Sequence, residues 1–102
     1  MIETSDVSSK VHISSSGYYV YILQSLIDRG LYIGFTSDLK TRLVRHSSGK
    51  VSSTKLRRPF RLIHYEYFIS KKDAKTREIF LKSGYGRDQL KQFLKNTFTS
   101  FK

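Results

Sequence analysis

Tyr18-Tyr19-Val20-Tyr21-Ile22-Leu23-Gln24 and Leu31-Tyr32-Ile33-Gly34-Phe35, separated by Asp28-Arg29-Gly30, decide how this chain begins to fold. Both runs are rich in β-branched and aromatic residues, which fit a pleated, half-buried surface. The Asp-Arg-Gly stretch supplies turn chemistry, so the two runs are expected to pair as an antiparallel hairpin. Alternation then places Leu31, Ile33 and Phe35 on one face and Tyr32 and Gly34 on the other. If the aliphatic set faces packed helices, Tyr32 points to a second surface, and the small Gly34 beside it leaves room for a ligand. A tyrosine in a strand, taken alone, is more simply a packing residue.

Outward from the hairpin, Thr36, Ser37 and Asp38 offer N-cap side chains for a helix running to about Ser47, with Leu39 and Leu43 as its buried stripe. Arg42 and His46 are four residues apart on that helix and stack at the border of the stripe. Arginine there suits phosphate, because its planar fork binds bidentately and keeps its charge. Histidine can exchange a proton near neutral pH, though at a helix end it can also simply favour the dipole. A polar, basic loop with Lys55, Arg57 and Arg58 leads to Pro59 and a third strand over Phe60 to Phe68. His64 and Glu66 share one face of it and read as structural or solvent-facing.

Ser70 caps a second helix, Lys71 to Ser83, stopped by Gly84, and a last helix is expected from about Gly86 to Asn96. Helical spacing groups Glu78 with Ala74 and Leu81, so a carboxylate sits beside small and apolar neighbours. It needs a counter-charge: a hard cation such as Mg²⁺ is one solution, and a salt bridge to Lys75 or Lys82 is the other. The expected fold is α+β, a small three-stranded antiparallel sheet flanked by helices in the order ββαβαα. Residues 1–16, with six serines, read as a disordered tail, 17–96 as the one domain and 97–102 as a C-terminal tail.

Composition narrows the function. The 102 residues include no cysteine, which excludes disulfides, thiolate catalysis and cysteine-ligated zinc, and makes a cytoplasmic protein the simplest reading. No stretch has the roughly 18 apolar residues of a membrane helix, and no secretory signal is visible. Residues 1–16 hold one Lys, one Glu and one Asp, so the remainder carries 18 Lys and Arg against six Asp and Glu, a net charge of +12. A small domain so charged repels itself unless it serves a polyanion, of which nucleic acid is the commonest.

Read together, Tyr19-Val20-Tyr21, Tyr32-Ile33-Gly34, the segment from Asp38 through Arg42 to His46, Arg58-Pro59, Glu66-Tyr67-Phe68 and Ala74 through Glu78 to Lys82 form an ordered set. It resembles the GIY-YIG nuclease superfamily, and the ending Phe80 to Arg87 resembles its small stand-alone bacterial members. The likeness extends to the N-terminal nuclease domain of the excision-repair incision subunit. The resemblance implies a metal-dependent endonuclease that hydrolyses phosphodiester bonds in DNA by shape rather than sequence. In that scheme Tyr32, and secondarily Tyr21, orient or deprotonate the attacking water. Arg42 holds the scissile phosphate, His46 is a proton-transfer partner, and Glu78 is the sole protein ligand of one divalent metal ion, Mg²⁺ or Mn²⁺. Lys40, Arg45, Lys55, Arg57, Arg58, Lys82 and Arg87 are the expected DNA contacts. No small-molecule cofactor and no membrane partner are implied; a monomer is one reading of an undecided oligomeric state. The alternative is a basic nucleic-acid-binding module without catalysis. The chain departs from the family pattern in carrying Phe35 where some repair nucleases have lysine. It also lacks the asparagine often found about twelve to fifteen residues after the glutamate, a window whose ends are Leu90 and Phe93, with Gln89 or Gln92 as candidate substitutes.

Overall fold

The computed structural model of the protein describes residues 16–99. The expected tail over residues 1–16 falls, but for Ser16, outside the described residues, as do residues 100–102. Strand β1 is Tyr18–Ser25 and β2 is Leu31–Thr36; helix α1 is Leu39–Ser47, and a short 3₁₀ turn is Lys55–Arg57. Strand β3 is Phe60–Phe68, followed by α2 (Lys71–Lys82), α3 (Gly84–Phe93) and α4 (Lys95–Thr99). The sheet has the order β2-β1-β3 and is antiparallel throughout. The fold is therefore α+β with the expected ββαβαα order, extended by the short α4. Pro59 enters β3, an edge strand, where its missing N–H is tolerated.

The central strand β1 divides the molecule. Val20 and Ile22 pack with Ile33 of β2 and with Ala74, Leu81 and Leu90 of α2 and α3 to form the core. Leu31, Phe35, Phe68 and Phe80 close around it. Tyr19, Tyr21 and Leu23 alternate onto the opposite face, where α1 lies. Register follows this division: Tyr21 stands opposite Gly34 of β2 and Tyr65 of β3, while an irregularity after Ile22 shifts the pairing with β3 so that Leu23 meets Leu62. A slip of one residue would exchange core and opposite-face side chains, so burial of the aliphatic set fixes the register.

Local side chains set the ends of the elements. Asp38 caps α1 by accepting from the Thr41 amide, and Ser70 caps α2 by accepting from that of Asp73. Ser83 serves two helices: its hydroxyl donates to the Phe80 carbonyl at 2.6 Å and accepts from the Gly86 amide at 3.1 Å. Helix α3 therefore starts at Gly84, the residue expected to stop α2. At Gly86 a Cβ would run into the Phe80 carbonyl oxygen, so the two helices approach more closely there than any side chain permits. The expected last helix is broken at Leu94, the C-cap of α3, before α4 begins.

The β1–β2 turn is tied to the loop that leads into β3. Asp28 Oδ1 accepts from the Gly30 amide at 2.7 Å, and the same carboxylate receives two guanidinium bonds from Arg57, at 2.8 and 3.1 Å. These bonds bring the Asp28 carboxyl down to a pKa of about 2, the Arg57 side chain being the largest cause. Ser25 Oγ donates to the Arg57 carbonyl, and the Leu26 amide to that of Pro59.

Candidate active site

Alternation along β1 and β2 carries Tyr21 and Tyr32 to the face of the sheet that α1 crosses. Their ring centroids are 6.2 Å apart, and each ring also meets the His46 imidazole edge-on, at 5.6 and 5.0 Å. Leu39 and Leu43, expected as the buried stripe of α1, are half-buried; the buried residue of the helix is His46, 2% exposed. The reason is the tyrosine pair, which offers α1 an aromatic and hydroxylated surface into which an imidazole fits better than a leucine. The expected space for a ligand beside Gly34 is also filled. A Cβ at Gly34 would collide with the Tyr21 ring and hydroxyl, so the glycine makes room for Tyr21 itself.

The Tyr21 hydroxyl lies 2.7 Å from His46 Nε2 and accepts from Arg42 Nε at 3.3 Å. On the far side of the imidazole, His46 Nδ1 is 2.8 Å from Thr54 Oγ1, and Thr54 donates its own proton to the Val51 carbonyl at 3.4 Å. Thr54 is fully buried. Thr54 Oγ1 sits between Nδ1 and the Val51 carbonyl, and the imidazole bridges the hydroxyls of Tyr21 and Thr54. The chain thus runs from Arg42 to the phenol, from the phenol to the imidazole, and through Thr54 to the backbone.

Electrostatics keep both rings uncharged. Burial pushes the Tyr21 hydroxyl up to about 12, against an opposing hydrogen bond from Arg42. Burial, with the Arg42 charge second, brings His46 down to about 4. Both are neutral at neutral pH: the phenol keeps its proton and the imidazole its lone pair. Arg42 is held in its charged form, chiefly by its bond to Tyr21. Hydrogen bonding to the half-buried Tyr32 is a smaller influence on both Tyr21 and Arg42.

Glu78 lies on α2, the helix that packs on the core face, and its hydrogen-bond partners are not members of the Tyr21 cluster. It is 8% exposed, beside fully buried Ala74 and Leu81. Its carboxylate oxygens receive Lys75 at 3.2 Å and Lys82 at 3.0 Å. Burial alone would raise its pKa, yet the hydrogen bonds from Lys82 and Lys75 outweigh that and leave it lowered. Both lysines that stand within reach of Glu78 therefore pair with it.

A family model for the GIY-YIG catalytic domain matches residues 17–92. The chain belongs to the GIY-YIG family. It is 41% identical over 86 residues to a UPF0213 protein of Pediococcus acidilactici, covering 81% of this chain and 86% of the relative. A UPF0213 protein of Streptococcus pyogenes serotype M3 is 42% identical over 72 residues, covering 70% and 77% of the two chains. The solution NMR structure of a UPF0213 protein from Bacillus halodurans superposes with a TM-score of 0.50 at 38% identity, covering 76% of this chain and 84% of that one. Those relatives are small, and this chain spans most of their length.

Within this GIY-YIG domain, the structure joins Tyr21, Tyr32, Arg42 and His46 in one cluster and attaches Thr54 to it. Sequence reasoning missed Thr54, a hydroxyl in a polar loop of Ser and Thr residues with no periodic signal. The expected DNA-contacting cations divide into two kinds. Arg57 is committed to Asp28 and Lys82 to Glu78. Arg58 bonds to the Ser47 and Lys55 carbonyls, which leaves its charge uncompensated. Lys40, Arg45 and Lys55 are exposed and Arg87 is half-buried.

GIY-YIG domains imply a divalent metal, and the residues present can be tested for it. Among the described residues no group of three or more His, Cys, Asp and Glu side chains could hold an ion. Glu78 is, however, a well-buried carboxylate kept ionised, and its two lysines are each 50% exposed. One carboxylate of this kind fits an ion that retains most of its waters, as Mg²⁺ does. Among the described residues no helix is long and apolar enough to cross a membrane.

Proposed function

We propose that this GIY-YIG protein is a metal-dependent endonuclease that hydrolyses phosphodiester bonds in DNA, selecting by shape rather than by sequence. The observation that carries the reading is the Tyr21 hydroxyl held between Arg42 and Nε2 of His46. A buried phenol with a pKa near 12 is a poor base by itself. Coupled to Nε2 it becomes a relay: it takes a proton from water as it passes its own to the imidazole. Burial and the Arg42 charge oppose that transfer in the free protein. A DNA phosphate bound at Arg42 would neutralise the second of these, so substrate raises the proton affinity of His46 only where it is needed. Tyr32, half-buried at the mouth of the cluster, orients the water, and Arg42 stabilises the charge that grows on the phosphate. Glu78 would hold the metal, Mg²⁺ or Mn²⁺, which when bound supplies Lewis-acid polarisation of the phosphate. The basic surface draws the polyanion to the site.

Incubation of the purified protein with single-stranded, branched and duplex DNA in Mg²⁺ or Mn²⁺ tests this. Cleavage that is lost in Glu78→Ala and in Arg42→Ala is the expected result; no cleavage by the unaltered protein under either metal would sink it. The engagement of Glu78 by Lys75 and Lys82 favours a second reading, a DNA-binding module without catalysis. Salt-sensitive DNA binding without any nicking would be its signature.

A further inference from the structure

Helix α1 covers only part of the sheet face on which it lies. It rests on Tyr21 and leaves the outer side of β3 open, with Leu62 38%, Tyr65 51% and Tyr67 39% exposed. Between α1 and β3 runs a trough with Leu43 at its waist. On one side of Leu43 a depression of about 590 Å³ is lined by Tyr19, Tyr65, Leu39 and Lys40. On the other, one of about 700 Å³ reaches His46 and is lined by Leu23, Leu62, Lys55 and Arg58. The stretch of β3 from Phe60 to Tyr67 extends for about 23 Å at the rise of a strand.

Three observations define what would occupy it. The floor and outer wall are aromatic and aliphatic, and the Tyr19 ring braces both Tyr65 and Tyr67, with centroids 6.0 and 5.4 Å away. Cations stand at both ends, Lys40 at one, where the Asp38 carboxylate also lines the trough but is engaged by Thr41, and Lys55 with Arg58 at the other. Tyr65 is the cross-strand partner of Tyr21, which places the exposed ring on the strand position next to the phenol of the site. Ring faces held in place with basic flanks suit the flat faces of bases on a polyanionic strand. In a duplex those faces are hidden in the stack, so a paired strand has nothing to offer Tyr65.

We propose that the trough is a binding subsite for single-stranded DNA, with Tyr65 stacking on an unpaired base beside the phosphate held at Arg42. This rests on the nuclease reading for its orientation, but it makes a separate claim about which DNA is held and by which residues. Fluorescence anisotropy in EDTA, so that no strand is cut, tests it with labelled oligothymidine and with a duplex of equal length. The single strand is expected to bind more tightly than the duplex. Tyr65→Ala should weaken single-strand binding roughly 5- to 100-fold and leave duplex binding unchanged, while Tyr65→Phe, which keeps the ring, binds as the unaltered protein does. Leu62→Glu, placing a negative charge in the second half of the trough, should weaken the single strand likewise. Equal binding of single strand and duplex, or single-strand affinity untouched by both Tyr65→Ala and Leu62→Glu, would overturn the proposal, as would competition by a protein partner but not by oligothymidine. The two readings separate cleanly. Tyr65-dependent single-strand binding without cleavage under any metal removes the nuclease and keeps the trough; cleavage and binding unaffected by Tyr65→Ala do the reverse.

Discussion

Replacing Tyr21 by Phe removes one oxygen and leaves His46 Nε2 buried without its partner. An unsatisfied buried group of this kind costs about 1–3 kcal/mol, to be read from urea unfolding, and the loss of the relay should lower cleavage by about 10²- to 10⁴-fold. His46 also makes stability depend on pH. Its folded pKa of about 4 lies below the ordinary 6.5, so the unfolded chain binds the extra proton across that interval. Stability should therefore be fully present above pH 6.5 and fall by about 3 kcal/mol as pH drops to 4. Unfolding curves across that range check this, with His46→Gln expected to flatten the slope; an unchanged slope would mean that the imidazole is not buried neutral. At this scale the sequence was partly legible. Alternation gave the face of Tyr32, and helical spacing gave the pairing of Arg42 with His46. Neither periodicity reaches Thr54, because a loop residue is placed by long-range contacts, and the burial of His46 over Leu43 depends on what lies beneath the helix.

Among the elements, the boundaries of β3 and the caps Asp38 and Ser70 were readable because each rests on local chemistry: a proline entry or a side-chain oxygen three residues before its amide. The junction of α2 and α3 was not. Gly84 looks like a stop, but Ser83 closes one helix and opens the next with a single hydroxyl. Close approach at Gly86 makes that junction intolerant. Gly86→Ala forces the Phe80 carbonyl aside and should destabilise by about 1–3 kcal/mol, measurable as a lowered midpoint in denaturant. A second joint ties α2 to the sheet: Arg77 bonds Glu66 at 2.8 and 3.0 Å, and His64 meets the same carboxylate at 3.0 Å. His64 and Glu66, read from the sequence as structural or solvent-facing, take the structural role, through a partner on another element that strand alternation could not name. Arg77→Ala leaves a largely buried carboxylate short of its main partner and should cost about 1–3 kcal/mol in the same assay.

Over the whole molecule, not every cation is free for a polyanion, since Arg57 and Lys82 are paired with Asp28 and Glu78. DNA affinity should still fall steeply with salt. Replacing both Lys40 and Lys55 by Ala should reduce the slope of log affinity against log salt by about one to two, measured by anisotropy over a salt series. A slope unaltered in the double variant would place the DNA elsewhere on the surface.

The bond between Arg57 and Asp28, at the outer edge of the molecule, reaches further than its position suggests. Together with the Ser25 and Leu26 bonds it anchors the segment between α1 and β3, and Thr54 hangs from that segment. Thr54 in turn holds the imidazole of His46 through Nδ1 at 2.8 Å. An ion pair in contact with solvent thereby helps to position a ring sealed inside the protein, and a residue of the first hairpin turn bears on a side chain it never touches.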